Sequence, residues 1–454
     1  MSQREFDVIV IGAGPAGEVI AGRLGASGLK IALVEGNLVG GECSYFACMP
    51  SKALLRPAEA VDEARRLPGA AEAVTGELDV GAVLRRRDEV IHNLDDSSQL
   101  AWLEERGVAV VRGHGRLTGE RTVSVGDDGL VARRAVVVAT GSKPLIPPID
   151  GLREAEPWTN RQATTTKVIP ARLLILGGGV VGVEMAQAFA TLGSTVTLVE
   201  GGDRILPREE QFAAQQVHES LEGRGVQIIT RIKATAVRRN GDVTMELEGH
   251  DPVTGDEILV AVGRRLSTGD LGLETVGLEP GKPIEVSDTM QSPAHDWLYA
   301  VGDVNGRVLL THMGKYQARI AADHILGKDV ELRSDGAQSP RVIFTDPQVA
   351  AVGHTADSAR EAGLDVRVVE VPSGGNAGGS FYGRGAPGTA RIVVDERRGV
   401  IVGATLTGPD IGDFLQAATI AVIGEVPLTR LWHAVPSFPT RSELWLRLLE
   451  RYGL

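Results

Sequence analysis

Cysteine is nearly absent from this chain. Of 454 residues only two are cysteines, Cys43 and Cys48, which excludes a disulfide-stapled secreted scaffold. Aromatic residues make up only 4%, so any that cluster become informative. Cationic charge is in deficit. The formal net charge is −12, whereas phosphate-backbone binding needs a basic face, so nucleic acid is not an expected partner. Long hydrophobic runs are missing too. None approaches the roughly 20 apolar residues that cross a bilayer, so no membrane partner is expected. The opening MSQREFDVIVIG enters a strand almost at once and lacks the marks of a secretory signal. The expected location is cytoplasmic.

What is present is an ordinary globular composition, 43% hydrophobic and 23% charged, with 57 glycines. At roughly 100–200 residues per domain the length predicts two to four domains. An internal repeat organises them. Residues 6–35 read FDVIVIGAGPAGEVIAGRLGASGLKIALVE, and residues 171–200 read ARLLILGGGVVGVEMAQAFATLGSTVTLVE. Each is an apolar strand, a glycine turn, a helix rich in small residues, a second strand and a glutamate. The glycines are Gly12, Gly14 and Gly17 in one copy and Gly177, Gly179 and Gly182 in the other. The acids Glu35 and Glu200 each fall 23 positions after the first glycine.

The spacing has a physical reason. The first glycine permits the tight turn, the second lets backbone approach a pyrophosphate, and the third lets helix pack on sheet. Pro15 and Ala16, or Val180 and Val181, then open a helix whose N-terminal N–H groups face the phosphates. The acid accepts hydrogen bonds from the adenosine ribose. Two complete copies imply two dinucleotides, FAD and a nicotinamide nucleotide.

Smaller signals follow. AVVVATGSK at 135–143 ends in Ala139-Thr140-Gly141. LVAVGRR at 259–265 ends at Gly263, and LYAVGDV at 298–304 ends in Gly302-Asp303. Alone, each reads equally well as a sheet edge with a turn. In this order they read as carboxyl ends of parallel strands, where ligands bind. HMGKYQARIAADHILG at 312–327 reads as an amphipathic helix starting at His312. Beyond about 335 come short β-type runs and helical stretches at 411–424 and 441–451, with no dinucleotide fingerprint. The glycine-rich stretch 373–387 reads as a flexible or specialised loop.

The cysteines sit in GGECSYFACMPSK, after Gly41. Positions i and i+5 of a regular helix are too far apart for a disulfide, whose Cα atoms lie within about 7 Å. A bridge therefore requires an irregular segment, which Gly40, Gly41 and Pro50 allow. Pro50 fits a first helical turn, which puts Cys48 near a helix N-terminus, where a thiol ionises more readily. Two inert buried cysteines are the plain alternative. A zinc site lacks its remaining ligands.

Fingerprint, CxxxxC-x-PSK, ATG turn, second fingerprint and GD strand come in the order of the class I pyridine nucleotide–disulfide oxidoreductases. The chain resembles this family over nearly its whole length, FTDPQVAAVG at 344–353 included. The resemblance implies an α/β chain with two Rossmann-like dinucleotide-binding domains and a C-terminal α+β dimerisation domain. It places a discontinuous FAD domain at 1–150 and 275–330, a NAD(P)H domain at 151–274, and a homodimer-forming domain at 335–454. Besides the first fingerprint, Gly41, Lys52, Ala139, Thr140, Gly141, Gly302, Asp303 and His312 would meet FAD; Gly263 would join the second fingerprint at NAD(P)H. Cys48 would face the flavin in a charge-transfer contact, Cys43 would attack substrate, and Lys52 and Glu184 would pair near the flavin ring. Hydride would pass from the nicotinamide to the flavin, and the electrons onward to the Cys43–Cys48 disulfide. Glu200, with Gly201 and Gly202 where a 2′-phosphate would want arginines, favours NADH over NADPH, although Arg204 is close by.

One departure matters. Family disulfide reductases carry a C-terminal His-Pro-Thr segment whose histidine handles the leaving thiolate's proton. Here AVPSFPTRSELW keeps Pro439, Thr440 and Glu443 but places Phe438 at the histidine position. His433 is an unconvincing substitute, and Tyr45, between the cysteines, is another candidate donor. Mercuric reductases also lack the histidine but carry a C-terminal cysteine pair, and this chain ends ERYGL. Tyr45, Phe46, Trp432, Phe438 and Trp445 hold much of the aromatic content, so an aromatic-lined acceptor pocket is weighed against plain interface packing. The leading expectation is an atypical disulfide-dependent NADH oxidoreductase of cell redox homeostasis. Its acceptor would be a small molecule, aromatic and quinone-like or an unusual disulfide. The alternatives are an NADH:quinone reductase (diaphorase) with spectator cysteines and a redox-sensing flavoprotein that is no enzyme.

Overall fold

The computed structural model describes residues 3–386 and 388–454, so Pro387 of the glycine-rich stretch lies outside the described residues. The chain divides into two compact units. One comprises Met1–Pro50, Arg87–Pro144 and Arg264–Gly336; the other comprises Ser51–Arg86, Leu145–Gly263 and Ala337–Leu454.

The first unit is built on a seven-stranded sheet. Its order is Val108–Arg112, Ile31–Glu35, Gln3–Ile11, Asp128–Val138, Thr122–Val125 and Gly115–Gly119, with Leu298–Ala300 also paired to Asp128–Val138. The strands from Val108 through Asp128–Val138 run parallel, as does Leu298–Ala300. The apolar run VIVI explains the central position of Gln3–Ile11. Val8 and Val10 pack into one core with Ile20, Leu24 and Ala318, while Ile9 and Ile11 pack into another with Val136, Leu298 and Val304. A strand covered on both faces needs apolar residues at every position, not every second one. Helices Pro15–Ala26 and Thr311–Ile325 pack together on the first of these faces.

The second unit holds three sheets. Four parallel strands run in the order Gln227–Thr230, Thr195–Glu200, Arg172–Leu176, Glu257–Val260. Three antiparallel strands span 234–255. A five-stranded antiparallel sheet runs Arg341–Ile343, Gln348–Gly353, Val400–Gly408, Thr389–Asp395, Val366–Pro372. Helices Leu415–Ile423 and Glu443–Tyr452 share a core with it through Leu415, Ala418, Leu444 and Leu448. Helix Val180–Thr191 carries the small residues that let it lie against the four-stranded sheet. Its Val183, Ala186 and Phe189 join Leu54 and Leu55 of helix Cys48–Arg66, together with Ile343 and Val349, in one core.

Buried charge reinforces this core. Asp346 is 6% exposed and takes ion pairs from Arg66 and, at 2.9 Å, from Arg224, whose other terminal nitrogen is 2.8 Å from Asp62. Removing the shared carboxylate takes the ion pair from Arg66 and leaves Arg224 with Asp62 alone, both with little access to water. Asp346→Ala is expected to cost on the order of 3–5 kcal/mol, read as a lower thermal midpoint of the holoenzyme. Asp323→Ala, which breaks the more exposed pair with Arg23, should cost about 1 kcal/mol or less.

Candidate active site

Both glycine turns have the same construction. Gly12 and Gly177 adopt φ values of +100° and +110°, where a side chain is strained, and a Cβ on either would meet a backbone oxygen at 2.5 or 2.6 Å. A Cβ on Gly17 or Gly182 would come within 1.9 Å of the first glycine's carbonyl oxygen, so helix and turn touch. Gly14 and Gly179 are different: a Cβ there meets nothing within 4 Å. Each of these caps a 12-residue helix with no side-chain capping bond, leaving first-turn N–H groups for a ligand.

The two acids are also equivalent. Glu35 accepts from Ala13 N and Asn37 N, both at 2.7 Å, and Glu200 from Gly178 N and Gly202 N, both at 2.6 Å. Each carboxylate staples its glycine turn to the loop after the second strand. Sequence reasoning gave these acids to the ribose and missed the staple. It also missed Glu18, on the first glycine helix. Burial pushes the Glu18 carboxyl up to about 7, with Lys315 opposing and Glu35 adding. It therefore brings less than a full negative charge beside the phosphate turn.

The other expected cofactor contacts in the first unit lie on connected loops. Strand Asp128–Val138 ends at Ala139-Thr140-Gly141, and Thr140 Oγ1 donates to Ser267 O at 2.9 Å. Gly302 turns with φ +77°, its N–H donating to Gln317 Oε1 at 2.8 Å. Asp303 accepts from Ser142, which also takes Arg264 Nε at 2.6 Å. Gly41 has φ +61°, and a Cβ there would lie 2.7 Å from Gly14 Cα, so the cysteine segment begins against the glycine turn. His312 is the second residue of helix Thr311–Ile325. An open turn, an uncapped helix start and a fixed acid in one unit fit an FAD. In the second unit the same set, with Gly263 after strand Glu257–Val260, fits a nicotinamide dinucleotide.

The cysteine segment is irregular, as a bridge would require. A short helix, Gly41–Tyr45, stops, and the helix Cys48–Arg66 starts at the second cysteine with Pro50 in its first turn. Both cysteines are thiols in this structure. The Cys43 thiol is hydrogen-bonded to Cys48, and that bond, followed by burial, raises its pKa well above the ordinary thiol range. The two thiols are thus neighbours within hydrogen-bond reach. Cys48 Sγ lies 3.5 Å from Thr311 Oγ1, at the start of helix Thr311–Ile325, a partner the sequence did not disclose.

Within the second unit Lys52 and Glu184 do pair. Lys52 Nζ donates to Glu184 at 2.7 Å, and the other carboxylate oxygen accepts from Phe344 N at 3.0 Å. The Phe344 ring lies 4.7 Å from the ammonium. A buried glutamate is thereby matched by a cation and a backbone donor.

One expectation needs correction. Tyr45 is fully buried, and its hydroxyl is bonded to Asp95 O at 3.3 Å and Gln99 Oε1 at 3.1 Å. Packing of the first unit encloses it, so it cannot hand a proton to an outside acceptor, nor can it line an aromatic pocket. Trp445 is half-buried and packs against the core of the five-stranded sheet. Glu443 sits in the first turn of helix Glu443–Tyr452, 7% exposed, with one carboxylate oxygen lacking a partner among the described residues. Phe438, at the family's histidine position, is 77% exposed.

Comparison with known proteins decides the lineage. Residues 6–318 match the model of the pyridine nucleotide-disulphide oxidoreductase family, and residues 339–448 match that family's dimerisation domain. The chain belongs to this family. It is similar to a dihydrolipoyl dehydrogenase from Thermus scotoductus, 34% identical with 97% of this chain and 96% of the relative covered. It is also similar to a mercuric reductase from Staphylococcus aureus, 30% identical over 97% of this chain and 81% of the relative. Among solved structures it resembles RclA, an HOCl-induced flavoprotein disulfide reductase from Escherichia coli solved as a Cu(II) complex. That match has a TM-score of 0.87 and 25% identity, covering 98% and 99% of the two chains. LpdA from Mycobacterium tuberculosis gives a TM-score of 0.86 at 26% identity, with both chains fully covered. The chain is therefore an enzyme of a family that binds FAD, uses NAD(P)H and carries a redox-active disulfide. Among the described residues no helix is long and apolar enough to cross a membrane.

Proposed function

We propose that the chain works as a homodimeric NADH oxidoreductase that sends electrons through Cys43 and Cys48 to a small acceptor needing no proton from position 438. The observation that carries this reading is the break between the helices Gly41–Tyr45 and Cys48–Arg66, which leaves Cys43 and Cys48 as neighbouring thiols, with Thr311 against Cys48. Bound FAD would supply the two-electron relay between nicotinamide and sulfur. The protein's part begins at the sulfurs. Two electrons and two protons turn the disulfide into the Cys43 and Cys48 thiols. Loss of the Cys43 proton to solvent then gives a thiolate that attacks an acceptor; as the pair closes to a disulfide, the two electrons pass to the acceptor and the Cys48 proton passes to the reduced acceptor or to solvent. Lys52, fixed by Glu184 and Phe344, places one cation one turn along the cysteine helix.

Phe438 cannot protonate a leaving thiolate, which removes help typically worth about 10²–10⁴-fold. Acceptors that require it, lipoamide or glutathione disulfide, should turn over poorly. Acceptors that do not, quinone-like aromatics among them, should turn over well. The Cu(II) complex of the Escherichia coli neighbour adds a metal ion to the acceptors worth assaying, since reducing it to Cu(I) needs no acid. Cytoplasmic location and the three-part division at 1–150 with 275–330, 151–274 and 335–454 belong to this reading. The diaphorase reading shares every cofactor contact and differs only in leaving the cysteines idle; Cys43→Ser separates the two.

The preference for NADH rests on two side chains. Glu200 would face a 2′-phosphate with like charge. Arg204, the nearby cation, directs three of its N–H donors to the carbonyls of Leu206, Pro207 and Glu209 at 2.8–3.0 Å, which holds it in its own loop. The expected kcat/KM for NADH exceeds that for NADPH by on the order of 10²-fold. Steady-state kinetics with both nucleotides measure this, and parity or a preference for NADPH would overturn it.

A further inference from the structure

The segment that ends in helix Glu443–Tyr452 carries Val435 and Phe438, 84% and 77% exposed. It has little internal bonding: Thr440 Oγ1 donates to Ser437 O at 2.6 Å, and Glu443 N to Thr440 O at 3.2 Å. An exposed aromatic on so sparsely bonded a stretch needs an outside support to hold one position.

Arg441 supplies it. Its side chain is 5% exposed, and its guanidinium lies 4.4 Å from the Tyr382 ring centroid and 4.8 Å from that of Phe414. Tyr382 closes the turn Gly379–Tyr382 in the glycine-rich loop, and Phe414 closes the turn Ile411–Phe414. The same loop rests directly on the segment's backbone. A Cβ on Gly378 would fall 2.1 Å from the Thr440 carbonyl carbon and 2.3 Å from Arg441 N. At its far end the loop is tied to the cysteine helix, where Arg384 N donates to Arg66 O at 3.1 Å. A planar cation meeting two aromatic rings is a geometry that lysine does not reproduce.

We infer that Arg441 is a positioning residue for acceptor binding, fixing Phe438 through its contacts with Tyr382 and Phe414. The inference rests on the proposed reading that Phe438 stands on the acceptor side. Its action is on the placement of Phe438, and an approximately 1 Å misplacement in an active site can cost on the order of 10²-fold.

The test uses FAD-loaded enzyme, NADH and 1,4-benzoquinone as the probe acceptor. Arg441→Ala should raise the KM for benzoquinone about tenfold while the rate of anaerobic flavin reduction by NADH stays unchanged. Arg441→Lys should not restore the KM, and Tyr382→Phe, which keeps the ring, should leave it at the parent value. Combined with Phe438→Ala, Arg441→Ala should add nothing further. If Arg441→Ala fails to retain FAD, Tyr382→Leu removes one ring and carries the same expectation. A raised KM in Phe438→Ala with a parental KM in Arg441→Ala or Tyr382→Leu overturns the inference and leaves the reading of Phe438 standing, as does strict additivity of the two changes. A parental KM in Phe438→Ala itself overturns both.

Discussion

Cys43→Ser is expected to cut NADH-driven turnover with every two-electron acceptor by about 10³-fold, with flavin reduction by NADH intact. Serine keeps the shape of the side chain and its capacity to hydrogen-bond Cys48. What it lacks is a sulfur that can form and break the S–S bond. In the parent, Cys43 and Cys48 are neighbouring thiols that can close to a disulfide; in the variant a lone thiol at Cys48 has no partner to close on. The measurement is a comparison of pre-steady-state flavin reduction with steady-state acceptor turnover in the same preparation. Turnover retained within a few fold would make the cysteines spectators and install the quinone-reductase reading.

Phe438→His is the converse experiment, a gain rather than a loss. Glu443 already stands in the first helical turn beyond the position, largely buried, with one oxygen lacking a partner among the described residues. An imidazole at 438 would find a carboxylate to set its tautomer, and would restore a group that titrates near neutral pH. Lipoamide turnover is expected to rise by at least about tenfold, the lower part of what acid–base help contributes, with a pH–rate profile that gains a limb between about pH 6 and 7. Benzoquinone turnover should not rise with it. An unchanged lipoamide rate in a folded, FAD-loaded variant would mean that the missing histidine is not what limits this enzyme with disulfides.

The parts legible from sequence are those whose physics is local. The glycine turns, their helices and the acids 23 positions on are written within thirty residues, and strand, turn and helix follow from periodicity and steric need. The break between Cys43 and Cys48 was equally legible, because a five-residue spacing cannot bridge within a regular helix. What escaped was long-range. The Glu184 contact with Phe344 N joins positions far apart in the chain, and so does the Asp346 network with Arg66 and Arg224. Tyr45 looked available because it stands between the cysteines; only the packing of the segment around Asp95 and Gln99 buries it. Arg441 gave no local signal at all, since its two aromatic neighbours come from separate turns.

The central claim is that Cys43 and Cys48 lie in the electron path. Anaerobic titration of the purified FAD enzyme with NADH, followed by visible absorption, tests it most directly. The account predicts a long-wavelength thiolate-to-flavin band and uptake of about four electrons per protomer, two in the flavin and two in the sulfur pair. Bleaching of the flavin after about two electrons, with no such band, would contradict it.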